Sequence, residues 1–165
     1  MSGPAPEVAF HAGSGCDPAV DRARLARDFA ALLAHFPRRV VRVDVELLGD
    51  EAMSAAHRRY MDIDGTTDVM SFPAHDEADP AAPVEADLMI STGVAAREAL
   101  ARGHGVEREI LLYAVHGTLH ACGYRDDSDD AFRAIHAEED RILAAGGLGA
   151  VYARPVRDER QDSPP

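Results

Sequence analysis

"AVHGTLHACGYRDD", residues 114–127, closes the most apolar run of the chain, "VEREILLYAVHGTLHAC" (106–122), which reads as a helix stopped by Gly123. His116 and His120 stand four apart, so on a helix they lie one above the other on one face. Two imidazoles at that spacing can share a single Zn²⁺ at about 2.0–2.1 Å. Gly123 can turn the chain back in a left-handed conformation, and three residues later Asp126 can present a carboxylate to the same ion. The arrangement is H-x-x-x-H-x-x-G-x-x-D. With 8 His in 165 residues, chance supplies an HxxxH pair about 0.4 times; adding the Gly and a His or Asp ten residues on lowers that to about 0.005.

Three protein ligands leave a coordination position for water, the mark of a catalytic site. A water held on His116, His120 and Asp126 would have its pKa brought toward about 7 and become a hydroxide nucleophile. The spacing matches the helix of metzincin proteases, whose H-E-x-x-H places a glutamate base after the first His. Here that position is Gly117. A peptidase without its base is poor, because the amide leaving group needs a proton. Cys122 shares the helix and is expected as a small buried apolar residue rather than a ligand.

Outward from this helix the chain alternates strand and helix signals. "EVAFHAG" reads as a strand. "DPAVDRARLARDFAALLAHF" reads as a helix capped by Asp17 with Pro18 in its first turn. "RVVRVDVELLG" is a half-buried strand with Val41, Val43, Val45 and Leu47 on one side and Arg42, Asp44 and Glu46 on the other. A helix "DEAMSAAHRRY" capped by Asp50 follows, then a strand "DVMSFPA", an exposed acidic and proline-rich loop at 75–86, and a strand "DLMIST". Ser91 or Thr92 caps the helix through "GVAAREALARG", and "DDAFRAIHAEEDRILAAGG" is the last helix. Four strands and five helices in the order β-α-β-α-β-β-α-α-α imply an α+β fold with one small sheet. Residues 1–153 form one domain in this reading, and 154–165 a disordered tail.

Composition bounds the function. Apolar residues make up 46% of the chain, as in a globular domain. No apolar run approaches the roughly 18 residues of a membrane span, and the N-terminus lacks a signal-peptide pattern, so a cytoplasmic protein without a membrane is expected. Two cysteines make no disulfide framework. The net charge of −12 argues against broad nucleic-acid binding. All 17 bases are arginine, and Arg38, Arg39, Arg42, Arg58 and Arg59 fall close together. They form either a locally basic cleft or an ordinary solvated face. His57, His75, His104 and His136 have no motif around them and read as surface residues.

Three blocks together resemble the YbeY family of endoribonucleases. "HGTLHACGYRDD" is similar to its H-G-x-L-H-x-x-G-Y-x-H signature, "TTDVMSFP" (66–73) to its T-D-V-L-S-F-P segment, and "ADLMIS" (86–91) to its G-D-I-x-I-S strand. The resemblance implies a small mixed four-stranded sheet packed with about five helices, with a zincin-like metal helix. It implies one zinc ion per chain, and a single-strand-specific endoribonuclease acting in ribosomal RNA maturation at the 3′ end of the small-subunit RNA and in ribosome quality control. Partners would be ribosomal RNA and the small ribosomal subunit. His116 and His120 carry over as ligands. The third family ligand is usually His; the matching position is Asp126, with Asp127 its nearest rival. Thr67, Asp68 and Ser71 would lie near the cleft. The family often has Tyr-Arg where this chain has Tyr60-Met61, so Arg58 or Arg59, with Arg42, are the candidate phosphate contacts. A peptidase-like hydrolase and a non-catalytic ribosome-assembly factor with a structural metal are the alternatives.

Overall fold

The computed structural model describes residues 3–149, so the expected tail at 154–165 and the first two and last four residues of the expected domain lie outside the described residues. The order foreseen from the sequence is observed: β1 (Glu7–Ala12), α1 (Arg22–Leu32), β2 (Val40–Leu48), α2 (Asp50–Met61), β3 (Val69–Pro73), β4 (Val84–Ser91), α3 (Thr92–Arg102), α4 (Val106–Ala121) and α5 (Asp129–Ala145). The strands form one mixed sheet in the order β1-β2-β4-β3. β1 and β4 flank β2 in parallel, and β3 runs antiparallel to β4 at the edge.

The alternation of β2 and β4 gives the sheet two unlike faces. Val43, Val45, Leu47, Ala86, Leu88 and Ile90 are buried in the main core with Phe29 of α1, Ile110, Leu112 and Leu119 of α4, and Ile135 and Ile142 of α5. On the other face α2 covers one end, where Met53 packs with Leu48 and Met70. Beyond it Arg42, Asp44, Glu85 and Asp87 stand partly in solvent, tied together as ion pairs. Gly117 lets α4 lie close on the sheet: a Cβ there would come within 3.0 Å of both Leu88 Cδ2 and Val69 Cγ2.

Local expectations shift in four places. The cap of α1 is Asp21, whose carboxylate accepts from Arg24 N–H; Asp17 instead closes a turn by accepting from Ala19 N–H. α2 begins at Asp50 itself and its N-cap is Gly49. A bulge between Val40 and Arg42 buries Val40 and leaves Val41 half-buried. β4 begins at Val84, inside the expected loop, because Val84 and Ala86 continue its buried row. Ser91 is the cap of α3, as one of the two expected, accepting from Val94 N–H.

Candidate metal centre

α4 brings His116 and His120 to its C-terminal end, and the chain then turns through Cys122 and Gly123 (φ 103°) so that Asp126 faces them. The separation of His116 Nε2 from His120 Nε2 is 2.9 Å, and Asp126 Oδ2 lies 3.7 Å from the first and 3.4 Å from the second. Ligands about 2.0–2.1 Å from a tetrahedral ion stand about 3.3–3.4 Å apart, so the triangle has the size a small divalent cation needs. These three residues form one of two groups among the described residues whose ligand atoms are close enough to hold a metal ion; the other is His116, His136 and Glu139.

Hydrogen bonds fix which nitrogens face the triangle. His120 Nδ1 lies 2.9 Å from the Tyr124 carbonyl oxygen, which can only accept, so Nδ1 carries the proton. His116 Nδ1 bonds the Glu139 carboxylate. With both rings neutral the two Nε2 lone pairs are aimed into the same space, where a cation can be shared between them. Burial pushes the His116 pKa down, but the bond to Glu139 and the charges of Glu139, Asp68 and Asp126 lift it above the ordinary histidine value. Exposure rises across the site: the Glu139 side chain is 0% exposed, His116 18%, His120 28% and Asp126 47%. One side of the triangle thus opens to solvent.

That side is a cleft of about 670 Å³ lined by Met61, Glu77, His120, Tyr124, Arg125, Asp126 and Asp127. Asp127 is paired with Arg125 at 2.6 Å, which leaves Asp126 as the acid turned toward the histidines. A wider depression of about 750 Å³ beside β1 and the start of α1 contains no histidine.

The other expected site residues are only partly assembled. Ser71 donates to the Gly117 carbonyl at 2.7 Å, next to His116. Asp68 is close enough to act on the His116 charge, and it accepts from Thr67 Oγ1 and Val69 N–H. Arg42 lies on the opposite face of the sheet, held by Asp44, Glu85 and Asp87. Arg58 pairs with Asp64, and Arg59 lies over the Tyr60 ring at 5.4 Å. The clustered arginines do not converge on the cleft, because sequence neighbours on β2 and α2 diverge in space. Cys122 is buried and its thiol is pushed up to about 11, mainly by burial, as expected of a packing residue.

Two residues read as surface belong elsewhere. His136 is 13% exposed, stacks on His116 with ring centroids 6.1 Å apart, and bonds Glu139 at 2.7 Å. His104 is 6% exposed and paired with buried Glu109. His57 and His75 are half-buried, each with a ring nitrogen near a backbone carbonyl. Glu139 was missed altogether. Its signal was present: on α5 it occupies the same stripe as buried Ile135, Ile142 and Leu143, where an acid is out of place.

Fold and site together define a small α+β protein with a His–His–Asp centre at the rim of an open cleft. Residues 18–147 match the family described as Endoribonuclease YbeY. The chain is 36% identical over 122 residues to the Endoribonuclease YbeY of Thermus thermophilus, spanning 73% of this chain and 88% of that one. It is 38% identical over 125 residues to that of Mycobacterium tuberculosis, spanning 70% and 69%. The solution structure of TM1509 from Thermotoga maritima shares the fold, with a TM-score of 0.51, 16% identity, and coverage of 84% of this chain and 90% of that one. The chain belongs to the YbeY endoribonuclease family. No helix among the described residues is long and apolar enough to cross a membrane.

Proposed function

We propose that this chain is a zinc-dependent, single-strand-specific endoribonuclease that matures the 3′ end of small-subunit ribosomal RNA and contributes to ribosome quality control in the cytoplasm. The observation that carries the reading is the triangle of His116 Nε2, His120 Nε2 and Asp126 Oδ2, open to a cleft, in a chain of this family. A bound Zn²⁺ would polarise a phosphodiester oxygen and lower the pKa of water. The chain's own residues do the rest. Glu139 and the Tyr124 carbonyl hold the imidazoles with Nε2 inward, and Asp126 supplies the charged third ligand. The cleft wall carries three carboxylates, Glu77, Asp126 and Asp127, against one guanidinium, Arg125. A divalent cation balances that excess, so an RNA phosphate enters only a loaded site. Arg125 lines the cleft, where a phosphate contact is useful; Arg58 and Arg59 do not line it, and Arg42 lies on the other face of the sheet.

Gly117 weighs against a peptidase. The glutamate base of that chemistry would need a side chain where a Cβ already meets Leu88 and Val69 at 3.0 Å, tighter than an ordinary contact. The open, half-exposed Asp126 side weighs against a purely structural metal, whose ligand shell is closed.

The test is metal content by elemental mass spectrometry together with cleavage of a labelled single-stranded RNA, with and without chelator, for the untagged protein and His120→Ala. About one zinc per chain and chelator-sensitive cleavage are expected, both lost in the variant. Casein cleavage without RNA cleavage would overturn the reading, and unfolding on metal removal would favour the structural role. Mapping the product ends separates two routes: a 2′,3′-cyclic phosphate marks attack by the ribose 2′-OH, whereas a 3′-hydroxyl with a 5′-phosphate marks attack by water.

A further inference from the structure

We infer that Glu139 and His136 form a buried clamp that sets the cation affinity of the site by holding His116 in the tautomer with Nε2 free. The assignment rests on the metal centre proposed above. It makes Glu139 and His136 positioning residues.

Glu139 is fully buried on α5 and its two oxygens are used separately. Oε1 accepts from His116 Nδ1, and Oε2 accepts from His136 Nδ1 at 2.7 Å. An ionised carboxylate accepts only, so each bond assigns a proton to the imidazole nitrogen that faces it. For His116 that leaves Nε2 as the lone-pair donor, 2.9 Å from the equivalent atom of His120. The charge-assisted bond also makes the imidazole a better donor to a cation, and such outer partners are worth about 10–100-fold in metal affinity.

The two histidines of the triangle are not held alike. His120 is fixed by a backbone carbonyl, which no substitution at its own partner removes. His116 depends on a side chain, and that side chain depends on His136 for its second bond. The clamp is packed as well as bonded: His136 lies nearly parallel to His116, at 25°, and the Phe132 ring meets His136 edge-on with centroids 4.2 Å apart. A shift of Glu139 therefore has to move three rings.

The second donor group, His116, His136 and Glu139, has a different reading as a cation site in its own right. An ion there would have to break both bonds to Glu139 and take His116 through Nδ1, which moves the ring proton to Nε2 and withdraws that atom from the triangle with His120 and Asp126. The bonded network is the consistent use of those atoms.

The experiment measures zinc affinity by competition with a chromophoric chelator, for the full chain and for Glu139→Gln, His136→Phe, His136→Gln and His120→Ala, with circular dichroism and thermal melts of each. Glu139→Gln keeps the shape but presents an amide N–H to one of its two donors. It is expected to weaken zinc binding about 10–100-fold while the fold is kept. His136→Phe keeps the stack but not the bond and is expected to weaken it by several-fold; His136→Gln, which retains an amide donor, should recover part of that loss. Nitrogen-15 imidazole spectra of zinc-free protein should show His116 protonated at Nδ1, with Nε2–H gained in Glu139→Gln. A folded Glu139→Gln with unchanged zinc affinity overturns the clamp. If that variant does not fold, unchanged affinity in His136→Phe overturns it instead. Zinc retained by His120→Ala but lost by His136→Phe would place the ion in the other group and overturn it too. A wild type that binds no zinc sinks the metal centre itself.

Discussion

Glu109 and Glu139 are both fully buried, both sit on core helices, and both are bonded to a histidine. Only one of them stands beside the proposed metal centre. Glu139 grips histidines through Nδ1, and the far nitrogen of His116 looks out into a triangle of donors and an open cleft. Glu109 grips Nε2 of His104, whose other nitrogen, Nδ1, is buried without a hydrogen-bond partner among the described residues. Its remaining charge is met by Arg102, 3.0 Å away. Burial, and after it the Glu109 charge, push the Tyr113 hydroxyl pKa upward. A buried Glu–His pair becomes functional only when the histidine has a second, exposed task.

The comparison makes opposite predictions for the two ends of α4. Glu109→Ala removes one partner of a buried charged group and should cost about 3 kcal/mol of stability. The low end of the range applies because Arg102 is 31% exposed and can turn to water. Zinc affinity should not change. Urea unfolding of zinc-free protein and chelator competition measure the two quantities, and a weakened zinc site in this variant would break the distinction between the regions. Asp126→Ala should do the reverse. It removes a proposed direct ligand, so zinc affinity should fall by more than about 100-fold, beyond what an outer partner is worth. The zinc-free stability should stay within about 0.5 kcal/mol, because the Asp126 side chain is 47% exposed.

Most of this was legible where the chain repeats a period. The order of elements, the stop at Gly123 and the triad His116, His120 and Asp126 all follow from local spacing. Glu109 was harder to see than Glu139, because α4 is apolar nearly all round and offers no stripe for an acid to interrupt. The strand order β1-β2-β4-β3 depends on pairings between distant segments, which no local window contains. The same holds for Arg42: its alternation on β2 was read correctly, but two of the three carboxylates that claim it, Glu85 and Asp87, come from β4, more than forty residues on. His136 had no motif because its partners lie on two helices.

Gly117→Ala probes the wedge that keeps the two ends of α4 distinct. A Cβ would press on Leu88 and Val69 at 3.0 Å, so α4 or the two side chains must give by a few tenths of an ångström. The expected cost is about 1–3 kcal/mol, read by urea unfolding. Because Ser71 bonds the Gly117 carbonyl, a shift of α4 should also disturb His116 and loosen zinc by a smaller factor than Asp126→Ala does. Lost stability with zinc binding untouched would show that the histidines follow the helix as a rigid unit.

Asp50 and Arg97 set the bottom of the scale. They form a two-bonded pair, at 2.8 and 2.9 Å, between α2 and α3, but their side chains are 50% and 58% exposed. The Arg97 guanidinium holds the Asp50 carboxyl below its ordinary value of 3.8, against a smaller opposing effect of burial. A carboxyl with a lowered folded pKa stabilises above its unfolded pKa and loses that contribution as pH falls through the folded value. Solvent and salt screen an exposed pair, so Asp50→Asn should cost no more than about 0.5 kcal/mol at pH 7. The difference from wild type should shrink as the pH falls below the ordinary carboxyl value of 3.8 and be lost once it passes the lowered folded value, measured by urea unfolding at each pH. It should also shrink in about 1 M salt, where the Debye length falls to about 3 Å. A cost near that of Glu109→Ala would mean that exposure, the one property separating this pair from the buried one, does not govern what a carboxylate pair is worth in this protein.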